Sequence, residues 1–111
     1  MGTDVPDSYG NVRATSGDAL QLPCHVPPSA DTNVTWRQTE KVEIGQPLVY
    51  DIYVNGQIRE SLRRRYSIYD ATAGDYSLKI LKVRDVDIGR YRCFNNEQLI
   101  KNYHIHVTGE Y

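Results

Sequence analysis

The sequence of 111 residues predicts an all-β domain. Helical periodicity is poor throughout, and short alternating runs bounded by Gly, Pro, Asn and Asp recur roughly every ten residues. Nine tyrosines accompany one Phe, one Trp and one Met, a composition that favours strands and half-buried surfaces. Because this length supplies one core of ordinary size, we expect residues 1–111 to form a single domain.

The first clear strand is predicted in "ALQLPCHV". Leu20, Leu22 and Cys24 fall on alternate positions, and residues two apart lie on the same side of a strand. We therefore expect these three side chains to face the core. The following segment, "PPSADT", is predicted to be a loop because its prolines cannot donate to a ladder.

The next strand is predicted in "NVTWRQ". Val34 and Trp36 share one face, and Thr35 and Arg37 share the other. Trp36 is the only tryptophan, and we expect it to be buried. Val34 then faces the core with it, which leaves Thr35 and Arg37 pointing outward.

A tight hairpin is predicted in the middle of the chain. The polar segment "TEKVEIGQ" is interpreted as a connection, and "PLVYDIYV" and "QIRESL" as strands on either side of Asn55-Gly56. Asn-Gly between two strand-like runs is a strong hairpin signal because both residues tolerate a positive φ.

The remaining runs complete about nine strands. "RYSIYD" and "YSLKILKV" flank the turn "ATAGD", and "RYRCFN" is followed across "NEQ" by "LIKNYHIHVT". In this last run Tyr103, Ile105 and Val107 alternate with His104 and His106.

Charge and hydropathy exclude several classes of function. Thirteen basic and 14 acidic residues leave a net charge of −1, so bulk charge does not recruit nucleic acid. The run Arg63–Arg65 is interpreted as a solvated strand edge. No stretch of about 18 apolar residues occurs, so we expect no direct membrane insertion by this segment.

The two cysteines, Cys24 and Cys93, are 69 positions apart and belong to no C-x-x-C pair. Zinc-ribbon and thioredoxin interpretations therefore fail. The two residues either bond to each other or are free thiols. A bond would indicate an oxidising compartment and would stabilise the fold by roughly 4 kcal/mol in the chain-entropy model.

The order of Cys24, then Trp36 twelve positions later, then the run "DIGRYRC" ending at Cys93 resembles the immunoglobulin superfamily. The resemblance covers nearly the whole chain. It implies a two-sheet sandwich in which one inter-sheet disulfide joins Cys24 to Cys93 beneath the tryptophan. It further implies that Tyr91 is the tyrosine corner and that Asp87 pairs with Arg65.

The subtype follows from the segment between Trp36 and Arg65, which is 29 positions long and contains the Asn-Gly hairpin. This length has room for two extra strands, which indicates the variable type. The last strand lacks the Phe-Gly-x-Gly bulge of rearranged antigen receptors. The chain is more similar to germline-encoded domains of cell-surface receptors, adhesion molecules and butyrophilin-like or co-stimulatory ligands.

The resemblance implies a non-catalytic extracellular module, the ectodomain fragment of a membrane protein. It would bind a cell-surface protein, or a second copy of itself, through the outer face of the GFCC′C″ sheet. Alternation places Arg92, Phe94, His104 and His106 on this face. In the strand "PLVYDIYV" two sets are possible: either Tyr50 and Ile52 point outward, or Val49, Asp51 and Tyr53 do. The candidate partner-binding residues are Arg37, Tyr50, Asp51, Tyr53, Arg92, Phe94 and His104.

The sequence leaves two alternatives to protein binding, glycan recognition and catalysis. Recognition of host or microbial glycans would use the tyrosines and the polar loop residues 95–97. For catalysis, His104-x-His106 has a spacing compatible with zinc but lacks a third ligand, and a bonded Cys24 could not act with His25 as a nucleophile. We therefore expect no enzyme activity, no metal and no cofactor.

One modification motif is present. Asn33-Val34-Thr35 matches the acceptor sequence for an N-linked glycan. If Val34 faces inward, Asn33 and Thr35 face outward, and a glycan on Asn33 would cover part of the sheet face.

Overall fold

A computed structural model describes residues 10–43 and 46–108. Within these ranges the chain forms nine strands and three short 3₁₀ helices. The strands are β1 (Asn11–Thr15), β2 (Leu20–Leu22), β3 (Val34–Glu43), β4 (Gln46–Val54), β5 (Gln57–Ile58), β6 (Tyr66–Asp70), β7 (Asp75–Ile80), β8 (Gly89–Asn95) and β9 (Gln98–Thr108). The 3₁₀ helices are Glu60–Leu62, Ala71–Ala73 and Asp85–Asp87.

The strands form two sheets. The larger sheet has the order β1-β9-β8-β3-β4-β5, and the smaller has the order β2-β7-β6. Neighbouring strands are antiparallel except β1 and β9, which are parallel. The predicted all-β, two-sheet sandwich of the variable type is confirmed.

The disulfide between Cys24 and Cys93 joins the two layers across the core. Cys24 follows β2 and Cys93 lies in β8, and both side chains are fully buried. Trp36 is also fully buried, and its Nε1 donates a hydrogen bond to the carbonyl oxygen of Tyr76 at 2.7 Å. The predicted disulfide is therefore confirmed.

Tyrosines supply much of the remaining core. Tyr103 stacks on Trp36 with ring centroids 6.2 Å apart, and its hydroxyl donates to the carbonyl oxygen of Pro23. Burial raises the pKa of Tyr103 to about 12 because the phenolate would lose its hydration. Tyr53 of β4 packs against Tyr76 of β7, which belongs to the other sheet, with centroids 6.3 Å apart.

A buried carboxylate organises the end of the sandwich before β8. Asp87 is 1% exposed, and its two oxygens accept bonds from both terminal nitrogens of Arg65, from the Tyr66 hydroxyl and from the Arg84 amide. The Tyr91 hydroxyl donates to the carbonyl oxygen of Asp87 at 2.7 Å. Burial raises the pKa of Tyr91 and of Tyr66, and the Asp87 charge raises both further.

The Asn-Gly hairpin forms as predicted. Asn55 and Gly56 both have positive φ, 54° and 79°, and Val54 pairs with Gln57 across the turn. The expected strand "QIRESL" is wrong beyond Ile58. There the chain turns into the 3₁₀ helix Glu60–Leu62, so local bonds replace the ladder.

The prediction that "TEKVEIGQ" is a connection is also wrong for its described residues, while Ile44 and Gly45 lie outside the described residues. β3 continues to Glu43, and β4 begins at Gln46, its partner in the ladder. Each strand supplies the hydrogen-bonding partners of the other, so this antiparallel pair does not need an apolar sequence to stay extended. The run Arg63–Arg65 is not a strand edge either, since it forms the turn that leads into β6.

Candidate partner-binding face

The six-stranded sheet has one side toward the core and one side toward solvent. On the solvent side, β3, β4, β8 and β9 lie next to one another and present a continuous surface. We call this surface the outer sheet face. Its residues are Thr35, Arg37, Val49, Asp51, Arg92, Phe94, Leu99, Asn102 and His104.

A polar row crosses the centre of the outer sheet face. Asn102 pairs with Arg92, Arg92 with Arg37, and Arg37 with Asp51, one residue from each of four strands. Directly opposed residues of an antiparallel pair point to the same side of a sheet. The row therefore brings two arginines and one aspartate together, with one net positive charge.

Arg37 is held from two sides. Its Nε donates to Oδ1 of Asp51 at 2.7 Å, and its guanidinium carbon lies 5.2 Å from the centre of the Phe94 ring. The Arg37 and Asp51 side chains are 40% and 29% exposed, so the ion pair itself stabilises the fold by at most about 1 kcal/mol. Together with the ring contact, the ion pair fixes the position of the guanidinium.

Arg92 is half-buried beside this pair. Its Nε donates to Oδ1 of Asn102 at 3.4 Å, a long bond that links β8 to β9. The stem of Arg92 can cover apolar surface while the guanidinium stays in contact with water.

Phe94 forms the wall of a shallow cleft at one end of the outer sheet face. The cleft has a volume of about 320 Å³ and is lined by Thr35, Arg37, Phe94 and Glu97. Phe94 is half-buried, and it lies opposite Thr35 on β3 and Leu99 on β9. One side of the ring thus packs against the sheet, and the other side faces the open space of the cleft.

Two large apolar side chains flank the polar row. Val49 on β4 is 62% exposed, and Leu99 on β9 is 49% exposed. Arginine and aromatic residues are enriched at protein interfaces, and the two exposed apolar side chains extend the surface around them.

The structure corrects two of the candidate residues, Tyr50 and Tyr53. Tyr53 is 6% exposed and lies opposite the buried Trp36, while Tyr50 packs against the core and lies opposite the buried Gln38. For Tyr53 the reason is a bulge: Tyr53 and Asp51 oppose consecutive residues of β3, so Ile52 is an extra residue and alternation fails there. Tyr50 points inward by ordinary alternation, because its neighbour Asp51 faces outward.

His104 and His106 lie side by side at the β1 side of the sheet. Their ring centroids are 4.3 Å apart, and Nε2 of His106 is 3.3 Å from Oδ1 of Asn11. His104 lies opposite Arg90. Within residues 10–43 and 46–108, no group of three or more His, Cys, Asp or Glu residues is arranged to hold a metal ion.

Cys24 and His25 do not form a catalytic pair. The sulfur of Cys24 is bonded to Cys93, and Nδ1 of His25 lies 3.9 Å from Oδ1 of Asp75. A disulfide sulfur is not a thiolate nucleophile.

Asn33 lies beside the cleft, immediately before β3. Its amide donates to Oδ1 of Asn95 and its carbonyl oxygen accepts from the Asn96 amide, so main-chain bonds hold this position. Asn33 is exposed, and Thr35 lines the cleft two residues later.

Alternation alone did not identify two residues of this surface, Leu99 and Glu97, whereas Asn102 follows from the alternation that places His104 outward. Leu99 reaches the outer sheet face because the register between β8 and β9 shifts between Cys93 and Phe94. Asn102 pairs with Arg92, and Glu97 reaches the cleft from a turn in which it adopts a positive φ of 69°. The only sequence signal for the turn is the polar run "NNEQ".

Several solved structures resemble the fold over nearly all of the chain. Dpr1 IG1 bound to DIP-eta IG1 has a TM-score of 0.71 at 23% identity, covering 95% of this chain and 92% of that one. The first Ig domain of mouse polymeric immunoglobulin receptor has a TM-score of 0.68 at 18% identity, covering 92% of each chain. Drosophila Semaphorin 2a has a TM-score of 0.63 at 22% identity, covering 91% of this chain.

The chain spans only 14% of the length of the Semaphorin 2a chain. No curated protein shows significant similarity to the sequence. The model of the immunoglobulin V-set domain, however, matches residues 8–108, which contain both cysteines, the tryptophan and the complete outer sheet face. The chain therefore belongs to the immunoglobulin V-set family.

Proposed function

We propose that this domain is an extracellular recognition module that binds a cell-surface protein through the outer sheet face. The observation that carries the proposal is the contact of Arg37 with both Asp51 and Phe94, on a surface that also exposes Val49 and Leu99. A guanidinium already fixed in place loses little side-chain entropy when a partner binds. The partner therefore binds to a guanidinium and an aromatic ring whose relative positions are already fixed.

The family supports this proposal. V-set domains are typically extracellular recognition domains without enzymatic activity, and a disulfide suits an oxidising compartment. In one similar structure an immunoglobulin domain is bound to another immunoglobulin domain. Within the part of the chain that the structure describes, no helix is long and apolar enough to cross a membrane. We propose that the domain is the ectodomain of a membrane-tethered protein.

Self-association through the same surface is a specific form of this proposal. Arg37 and Asp51 are neighbours of opposite charge on the outer sheet face. In a two-fold symmetric pair, Arg37 of one copy can face Asp51 of the other, and the same contact is repeated on the other side of the axis. Light scattering over a range of concentrations tests this form directly, since a homophilic domain shifts toward twice its mass.

A panel of cell-surface ectodomains, presented as multimers to the purified domain, tests the main proposal. For a partner identified in this way, Phe94→Ala and Arg37→Ala should each weaken binding about tenfold or more while the melting temperature changes little. Tyr69→Ala is the matched control, because Tyr69 is an aromatic residue 55% exposed on β6 of the opposite sheet. Equal losses for Phe94→Ala and Tyr69→Ala would contradict the assignment.

The second candidate function is recognition of a glycan. The cleft at Phe94 favours it, because an aromatic ring can stack against a sugar while Thr35, Arg37 and Glu97 supply hydrogen-bonding groups. Parallel glycan and protein arrays separate the two candidates. Binding to glycans that is abolished by Glu97→Ala, with no protein partner detected, would replace the main proposal.

A further inference from the structure

Four arginines fall within the seven residues 59–65, on the β5 side of the large sheet. They differ in what their side chains contact. Arg65 is neutralised by the buried Asp87. Arg59, Arg63 and Arg64 are exposed, and none of them forms an ion pair within residues 10–43 and 46–108.

Arg59 and Arg63 are nevertheless held in place by neutral acceptors. Nε of Arg59 donates to the carbonyl oxygen of Asp51 at 3.0 Å, and Nε of Arg63 donates to the carbonyl oxygen of Ile58 at 3.2 Å. A terminal nitrogen of Arg63 also donates to Oε1 of Gln57 at 3.1 Å. These bonds orient the two guanidinium groups without cancelling their charge.

A groove of about 360 Å³ lies between these groups. The β4–β5 hairpin forms one wall, and Arg59, Glu60 and Arg63 form the other. Asn55 and Gln57 bring amide groups to the same groove. The lining thus combines cations that suit an anionic group with amides that suit hydroxyl groups.

The charge of this region opposes that of the whole chain. Arg59, Arg63, Arg64 and Glu60 together carry two net positive charges, while the chain carries a net charge of −1. The remainder therefore carries three net negative charges. A polyanion is therefore attracted to this region more strongly than to the rest of the chain taken together.

We propose that this arginine groove binds a sulfated polysaccharide of the glycosaminoglycan class. Each guanidinium presents a planar pair of donors that matches a sulfate or carboxylate group. A linear chain that carries an anionic group on successive sugars can reach both arginines at once, and an arginine-rich segment of this length is a typical heparin-binding pattern. The groove is separate from the cleft at Phe94, so this inference does not depend on the proposed function.

Retention on immobilised heparin at about 0.15 M salt tests the inference on the disulfide-bonded domain. Heparin also acts as a cation exchanger, so retention by the unchanged domain is necessary and the variants assign it to the groove. The double variant Arg59→Gln/Arg63→Gln should bind heparin about tenfold more weakly, with a shallower dependence of affinity on salt. Glu60→Gln should bind more tightly because it removes the acidic residue from the groove.

Arg13→Gln is the matched control, since Arg13 is exposed on β1 at the opposite end of the sheet. It should bind heparin as the unchanged domain does, and so should Phe94→Ala. The inference is overturned if the unchanged domain is not retained, or if Arg13→Gln reduces binding as much as the double variant. Equal binding to desulfated heparin, to phosphatidylserine vesicles or to a sulfotyrosine peptide would also overturn it.

Discussion

Arg65 binds both oxygens of the Asp87 carboxylate, with nitrogen–oxygen distances of 3.0 and 2.6 Å. The carboxylate is 1% exposed, whereas the arginine side chain is 27% exposed. The anion is thus buried and the cation covers it from the surface. Removing the arginine leaves a charge that water reaches poorly.

Arg65→Gln and Asp87→Ala should each lower the free energy of unfolding by about 3 kcal/mol, because breaking a buried pair leaves polar groups without partners. Urea denaturation measures the loss. Asp31→Ala changes an exposed acid and should stay within about 0.5 kcal/mol of the unchanged domain. A loss below about 1 kcal/mol for both core variants would show that the pair does not matter for stability.

Stability should fall in alkaline solution because of the buried tyrosines. The pKa of Tyr103 is raised to about 12, and those of Tyr66 and Tyr91 are raised further above 10. Above pH 10 the unfolded chain releases phenolic protons that the folded chain retains, so the free energy of unfolding decreases. The contribution of Tyr103 is fully present below pH 10 and is lost as the pH rises to about 12.

Denaturant midpoints measured at several pH values check this prediction. Tyr103→Phe should show a smaller decrease than the unchanged domain between pH 10 and about 12, since it has no phenol to titrate there. Tyr69→Phe alters an exposed tyrosine and should leave the profile unchanged. Identical profiles for Tyr103→Phe and the unchanged domain would contradict the prediction.

Removal of the disulfide should cost roughly 4 kcal/mol of stability, because the bond closes a loop of 69 residues in the unfolded chain. Cys24→Ala/Cys93→Ala, compared with the oxidised domain by urea denaturation, measures this cost. Alkylation of the unreduced, denatured protein should label neither cysteine. Two labelled cysteines would show that the bond is absent.

Expression in a eukaryotic host should attach an N-linked glycan to Asn33, which is exposed and precedes an outward-facing Thr35. Intact mass before and after glycosidase treatment measures the modification. Asn33→Gln and Thr35→Ala should both abolish it, whereas Asn96→Gln lies outside any acceptor sequence and should not. An unmodified chain from such a host would refute the prediction.

The sequence predicted the features that a single strong constraint determines, either a local backbone preference or a covalent bond. The Asn55-Gly56 turn follows from the positive φ of both residues, and the disulfide followed from the resemblance to known domains around Trp36. Neither the turn nor the disulfide would be predicted differently if the register of a strand elsewhere were wrong by one residue. They could therefore be predicted without knowledge of the exact strand register.

The outer sheet face was harder to predict because it depends on register. Alternation assigns Tyr53 correctly only if β3 and β4 contribute equal numbers of residues, and the extra Ile52 breaks this condition. A second shift after Cys93 brings Leu99 to the surface. A bulge forms where the strand pairs well with its partner on both sides of the extra residue. The hydrophobic periodicity of one strand does not show where this occurs.

The two edge strands of the large sheet affect how another molecule can bind to this domain. Within the described residues, the strand at one end, β1, has five residues and includes the exposed Arg13, and the strand at the other end, β5, has only two. Short edge strands offer few unsatisfied amides and carbonyls to a neighbouring chain, and a charged residue such as Arg13 discourages pairing further. Adding a foreign strand is thereby discouraged, and the side chains of the broad flat surface remain as the means of contact.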